Sequence, residues 1–147
     1  MKLSEEIMLG STLITAKPEI WLDRQGGSGC SIGGALLATG VNPLEFWDEQ
    51  QAVWTALASG EEKVEIVTLY DGSLWTIGPF HKMKSIQDRW PWLMAEHLAN
   101  ISKMYFEVVE GSRTLEQLAE YVRSVEPKDG TEQPQEQPIE YLELSIQ

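Results

Sequence analysis

The chain has 147 residues, 42% of them apolar, with six Trp, one Cys and a net charge of −12. That length fits one domain, which buries roughly two-thirds of its unfolded surface and needs no metal or disulfide to hold it together. Acidic residues outnumber basic ones in 1–60, in 61–100 and most strongly in 101–147, which excludes the basic footprint that nucleic acid or an anionic membrane would require.

The first residues, Met1-Lys2-Leu3-Ser4-Glu5-Glu6, lack the apolar core of a signal peptide. No apolar run approaches the length of a membrane span, so a cytoplasmic location is expected. Leu3 to Leu9 reads as a short helix, with Ser4 as its N-cap, Leu3 and Met8 as a hydrophobic staple and Gly10 as its stop. Glu19 to Asp23 reads as a short strand or an extended link. The turn Gly26-Gly27-Ser28-Gly29 then leads into a small-residue helix from Cys30 to Thr39, closed by Gly40.

Asn42-Pro43 predicts the next helix start: Asn caps, and proline at the first helical position has no N–H to leave unpaired. Leu44, Trp47, Trp54 and Leu57 fall near one face, and Gly60 ends the helix. Residues 63–70 and 73–80 flank Asp71-Gly72, which predicts a β-hairpin with a two-residue type I′ turn. Both of its faces carry apolar residues, so helices or a partner are expected on at least part of each. A helix is expected from Pro91 to about Glu110, with Leu93, Leu98, Ile101, Met104, Tyr105 and Val108 as its stripe. Thr114 and Gln117 match a capping box for a last helix lined by Leu115, Leu118, Val122 and Val125.

Residues 127–138, PKDGTEQPQEQP, read as a linker without apolar side chains other than proline. Residues 139–147 regain alternation, with Leu142, Leu144 and Ile146 on one side of an expected strand. The expected architecture is α+β: a mainly helical domain over 1–126 with about five helices and a hairpin at 63–80, then the linker and a strand-like tail.

Four blocks, MKLSEEIMLG at 1–10, GCSIGGALLATG at 29–40, WPWL at 90–93 and the stretch from Asn100 through RTLEQLAEYVRSVEP, cover about a third of the chain. In order and character they resemble a family of small uncharacterised bacterial proteins. Its members begin MKLSEAIRLG, carry a Gly-Ser-Cys-Ala-Leu-Gly-Ala-Ala segment and end in a helix pair with a WTREQIADWV-like sequence. The resemblance implies the helical body and no chemistry. Some members carry a Cys-x-x-Cys pair after the Trp-Pro-Trp region; here there is none, so no metal site is carried over.

Three places are candidate sites. A Gly-rich turn entering a helix can offer backbone N–H groups to an anion, which makes Ser28, Gly29, Cys30, Ser31 and Gly33 ligand candidates. The spacing departs from G-x-G-x-x-G, because Ile32 stands where the third glycine belongs. The competing reading is that Gly33, Gly34 and Ala35 let another element pack closely. Cys30 at the same helix start is a candidate reactive thiol, but only His81 and His97 are available as a base, and free Cys is usually a buried small residue. His97 is expected beside the apolar stripe and hydrogen-bonded, His81 exposed.

Trp47, Trp54, Trp75, Trp90 and Trp92 are candidates to line a ligand pocket or an interface, with core packing the simpler account for most of them. Trp90 and Trp92 at an expected helix start are the candidate exposed anchors, and Leu142, Leu144 and Ile146 are further interface candidates. No cofactor and no metal are expected. Two functions follow: a non-enzymatic protein-interaction or regulatory protein that self-associates, or a small-ligand or anion-binding protein using the Gly26–Gly34 turn, with Cys30 as a reactive group.

Overall fold

The computed structural model describes residues 2–128. Its architecture is α+β, with six helices, five of them of seven residues or more, and two small sheets of two strands each among the described residues. The linker beyond Lys128 and the strand expected at 139–147, with Leu142, Leu144 and Ile146, lie outside the described residues.

The chain begins with α1 (Leu3–Gly10). Ser4 lies inside this helix rather than capping it; Lys2 is the N-cap and gives no side-chain bond. Ser4 instead donates from its N–H and its hydroxyl to the Glu126 carboxylate, at 3.1 and 2.6 Å. That partner lies 122 residues away, beyond any local rule. The strands β1 (Thr15–Ala16) and β2 (Ser28–Gly29) pair in parallel. Between them, 19–23 is a link rather than a strand, with a single bridge from Leu22 to Gly29.

α2 (Ser31–Ala38) is buried along most of its length. Glycine accounts for this. A Cβ on Gly34 would lie 2.8 Å from the Gly10 carbonyl oxygen, and one on Gly29 would lie 2.5 Å from the Trp21 carbonyl oxygen. A Cβ on Gly10 would overlap the Gly34 carbonyl, and one on Gly33 the Trp21 carbonyl. Two backbones therefore rest directly on α2, those of α1 and of segment 20–22. The close-packing reading of Gly33 and Gly34 describes this geometry.

α3 (Pro43–Ser59) starts as its sequence dictates: the Asn42 side chain accepts from the Leu44 N–H at 2.9 Å, and Gly60 ends the helix at φ +82°. Its inward face differs from the expected stripe. Phe46 and Gln50 are buried, with Val53 and Leu57 packed on the core. These recur at helical spacing, and they leave Leu44 and Trp54 more than half exposed.

The hairpin forms from β3 (Glu65–Thr68) and β4 (Leu74–Ile77), with Val67 opposite Trp75 and Ile66 opposite Thr76. Its turn is not type I′. Leu69 accepts from Gly72 N–H and donates to Ser73 C=O; only Gly72 has positive φ, at +85°. A three-residue loop results, in which Asp71 escapes the left-handed strain that type I′ imposes. The helix α5 (Ala95–Glu110) fixes this loop from outside. Tyr70 N–H donates to Asn100 Oδ1 and its hydroxyl to Glu107. Lys103 bonds Asp71 and, with Arg113, lies over the Tyr70 ring. The Lys103 bond, reinforced by Ser73, holds the Asp71 carboxyl down at about 2.

A 3₁₀ turn (Phe80–Lys82) and α4 (Lys84–Arg89) lead to the Trp-Pro-Trp segment. α5 (Ala95–Glu110) starts four residues later than expected. Residues 90–93 form a turn, with Leu93 N–H on Trp90 C=O, that directs both indoles inward. His97 Nδ1 accepts from Met94 N–H at 2.9 Å and so closes the helix start. α6 (Leu115–Val125) carries the expected capping box, in which Thr114 and Gln117 bond reciprocally. Asn100 Nδ2 donates to the Tyr121 hydroxyl and joins α5 to α6.

The α1–α2 contact generates a stability prediction. Gly10→Ala places a methyl in backbone, an overpacking that costs about 1–3 kcal/mol and lowers Tm by roughly 4–12 °C. Thermal unfolding followed by far-UV circular dichroism measures it, and an unchanged Tm would contradict the contact.

Candidate functional site

The Gly-rich turn is filled by protein. Ser28, Gly29, Cys30, Ser31 and Gly33 are all buried. Cys30 N–H donates to Ile20 C=O at 2.9 Å, and Gly29 and Gly33 face the Trp21 carbonyl. Asp23 accepts from Gly27 N–H and the Ser28 hydroxyl, which places a carboxylate where an anion would approach. The Ser31 hydroxyl is buried without a hydrogen-bond partner among the described residues.

Cys30 is 2% exposed, and burial pushes its thiol up to about 11 despite the helix N–H groups around it. His97 is buried and His81 half-buried, the latter a correction to its expected exposure; burial lowers both imidazoles. Among the described residues no three His, Cys, Asp or Glu side chains gather to hold a metal ion.

Trp90 and Trp92 are corrected as exposed anchors: they are 3% and 8% exposed. Trp90 Nε1 donates to the buried Glu6 carboxylate at 3.0 Å. Trp92 packs on the His97 ring, with centroids 5.6 Å apart. Desolvation raises the Glu6 pKa, partly offset by the Trp90 bond.

The open aromatic surface lies elsewhere. A cleft of about 450 Å³ is walled by Trp21, Trp54, Trp75, Phe80 and Phe106. Phe80 is buried and forms the floor. Trp21 tilts onto it at 5.5 Å between centroids, and Trp54 meets it edge-on at 5.2 Å. Pro18, Ile20, Leu57, Val64 and Ile77 add to the apolar lining, and among the described residues Glu19 is the one ionisable side chain in it. Gly78 lets Leu57 approach, since a Cβ there would lie 2.9 Å from Leu57 Cδ1.

Four separate segments converge here. Segment 20–22 is tied down through both flanking carbonyls, by Cys30 N–H on Ile20 and by Gln50 Nε2 on Leu22 at 3.1 Å. Leu22 points into the core, so its neighbour Trp21 turns toward the cleft. α3 adds Trp54, one position off its buried face. The hairpin and the turn after it add Trp75 and Phe80, and α5 adds Phe106.

The apolar surface continues past the cleft onto the hairpin. Val64, Ile66 and Leu74 are 54%, 72% and 66% exposed. Among the described residues the hairpin face that carries Val67, Trp75 and Ile77 packs on the body, and Ile66 and Leu74 on the other face stay open.

A cleft of this size and lining suits an apolar group, because among the described residues a buried charge would find one carboxylate and no basic partner there. Sequence reasoning weighed Trp54 and Trp75 for a pocket but missed Trp21, Phe80 and Phe106. The usable signal was Trp54, which stands off the helical face formed by Phe46, Gln50, Val53 and Leu57.

The chain matches no protein-family model, and no curated protein or solved structure shows significant similarity to it. Among the described residues no helix is long and apolar enough to cross a membrane.

The buried thiol generates a second prediction. At pH 8 Cys30 stays protonated and shielded, so a soluble thiol reagent labels it about a hundredfold or more slowly in the native protein than in urea. Equal rates in the two conditions would contradict this placement.

Proposed function

We propose that this chain is a non-enzymatic protein-interaction protein of the cytoplasm that self-associates. The carrying observation is the continuous apolar surface that runs from Trp54 and Phe106 through Val64 to Ile66 and Leu74. Single exposed apolar residues are ordinary, but a contiguous aromatic and aliphatic patch marks a contact surface. In this reading the outer hairpin face meets the same face of a second copy, an isologous contact. The cleft beside it receives an apolar segment of a protein. Trp and Phe are suited to this, because they give large contact area at little cost in side-chain entropy.

Kinship with the family whose members begin MKLSEAIRLG belongs to the same proposal and adds no activity. A second reading, a small apolar ligand, draws on the cleft's volume, which falls in the range of ligand pockets. The anion reading of the Gly26–Gly34 turn has less support, since protein groups occupy that turn.

Size-exclusion chromatography with light scattering on the full chain tests self-association. The native protein is expected to form dimers as concentration rises. Ile66→Lys with Leu74→Lys, both at exposed positions, is expected to remain monomeric with unchanged circular dichroism. A native protein that is monomeric throughout would overturn self-association through this face.

A further inference from the structure

The aromatic cleft has a lining that selects by charge. Five rings, those of Trp21, Trp54, Trp75, Phe80 and Phe106, line it. Trp21 is inclined to Phe80 by 47° and Trp54 by 64°, so neither indole lies flat on the floor. The rings surround a space instead of piling into a stack. Each ring face carries the negative part of its quadrupole and attracts a cation laid over it. Among the described residues the cation–π contacts fall on Tyr70, outside the cleft, where Lys103 and Arg113 lie. No described Lys or Arg lines the cleft itself.

Glu19 adds an independent feature that favours the same sign of ligand. It stands in the lining two positions before Trp21, and it is exposed, which puts its carboxylate at the rim. Among the described residues it has no ion pair; Lys84, Lys103, Arg113 and Arg123 pair with Asp88, Asp71, Glu107 and Glu116. The chain as a whole carries 23 acidic residues against 11 basic ones, so a cation is drawn toward it.

These features narrow the ligand. An anion finds no basic side chain in the cleft. A neutral apolar molecule uses the rings and leaves Glu19 idle. A primary ammonium is compact and strongly hydrated, with three N–H donors. Besides Glu19, only Thr76 and Ser102 offer it side-chain acceptors in the lining among the described residues. A quaternary ammonium has no N–H to satisfy. Its charge is spread over alkyl groups, which gain from burial as any apolar surface does. It meets the apolar walls, the ring faces and the carboxylate at once. The cleft volume of about 450 Å³ exceeds one such head group and falls in the range of small-molecule pockets.

We propose that this cleft binds a small molecule bearing a quaternary ammonium group, with its alkyl groups against Trp21, Trp54 and Trp75 above the Phe80 floor and its charge balanced by Glu19. This rests on the small-ligand reading of the cleft, to which it adds a chemical class. The contact through Ile66 and Leu74 is independent of it, since neither residue lines the cleft.

Choline is the probe, titrated into the full chain while the six tryptophan indole N–H signals are followed in a ¹H–¹⁵N correlation spectrum. Sodium chloride at the same ionic strength is the blank. The signals of Trp21, Trp54 and Trp75 are expected to move saturably. That of Trp90, bonded to Glu6 in the core, is expected to stay. Dimethylbutanol, the neutral isostere with carbon in place of nitrogen, is expected to bind about tenfold or more weakly. Glu19→Gln is expected to weaken choline binding about two- to fivefold and Trp54→Ala about fivefold or more, each with the Trp90 signal in place.

Equal binding of choline and its isostere would overturn the ammonium class and keep a small apolar ligand. No saturable shift with either compound would overturn the small-ligand reading as well, leaving self-association to be judged by light scattering. Unchanged choline affinity in both variants would place the binding elsewhere and overturn the proposal. So would a peptide containing trimethyllysine that binds more tightly than choline, since the head group would then belong to a protein segment.

Discussion

Segment 20–22 lies with its backbone directly on α2, and the rest of the molecule is arranged around that contact. It is possible only because positions 29 and 33 carry no side chain. A methyl at either would meet the Trp21 carbonyl. With that carbonyl against the helix, Leu22 fills the core and Trp21 leans outward onto Phe80. The same helix accepts α1 through Gly10 and Gly34. One small-residue helix thus carries two close contacts, one that closes the core and one that builds a wall of the cleft. Close packing of this kind is unforgiving, because interiors near crystal density have no slack for an added methyl.

The second organising contact joins the ends of the described chain. Ser4 presents its N–H and hydroxyl to Glu126, and Glu6 beside it accepts from Trp90. Both carboxylates are buried. A buried carboxyl group needs hydrogen bonds in place of its hydration, and here a main-chain N–H, a hydroxyl and an indole serve. Trp90 and Trp92 are therefore spent on the core. Around the cleft Trp21, Trp54, Trp75 and Phe106 stay at least partly exposed.

Local chemistry made much of the body legible. Asn42-Pro43, the Thr114/Gln117 pair and the glycines at 40 and 60 act within one turn of helix, and each stands where its sequence context demanded. The hairpin was legible in its arms but not in its turn, because Leu69 and Ser73 add a hydrogen-bonded step that lets Asp71 keep negative φ. Two other misreadings share one cause. Ser4 resembled a cap but serves Glu126, and Trp90 resembled an exposed anchor but serves Glu6. Those partners lie 122 and 84 residues away. The cleft was illegible for the same reason, since it is assembled from four segments, none with a periodic pattern that announces it. The parallel pair of Thr15–Ala16 with Ser28–Gly29 is too short to leave a period at all.

The central claim is that the glycine contact on α2 positions Trp21, and through it the cleft. Nuclear Overhauser effects between the Trp21 and Phe80 rings test it most directly, recorded for the native protein and for Gly33→Ala. The native protein is expected to show them. In Gly33→Ala they are expected to be lost or sharply weakened, while those between Trp92 and His97 persist and report that α5 remains folded. Trp21–Phe80 effects of native strength in Gly33→Ala would contradict the account.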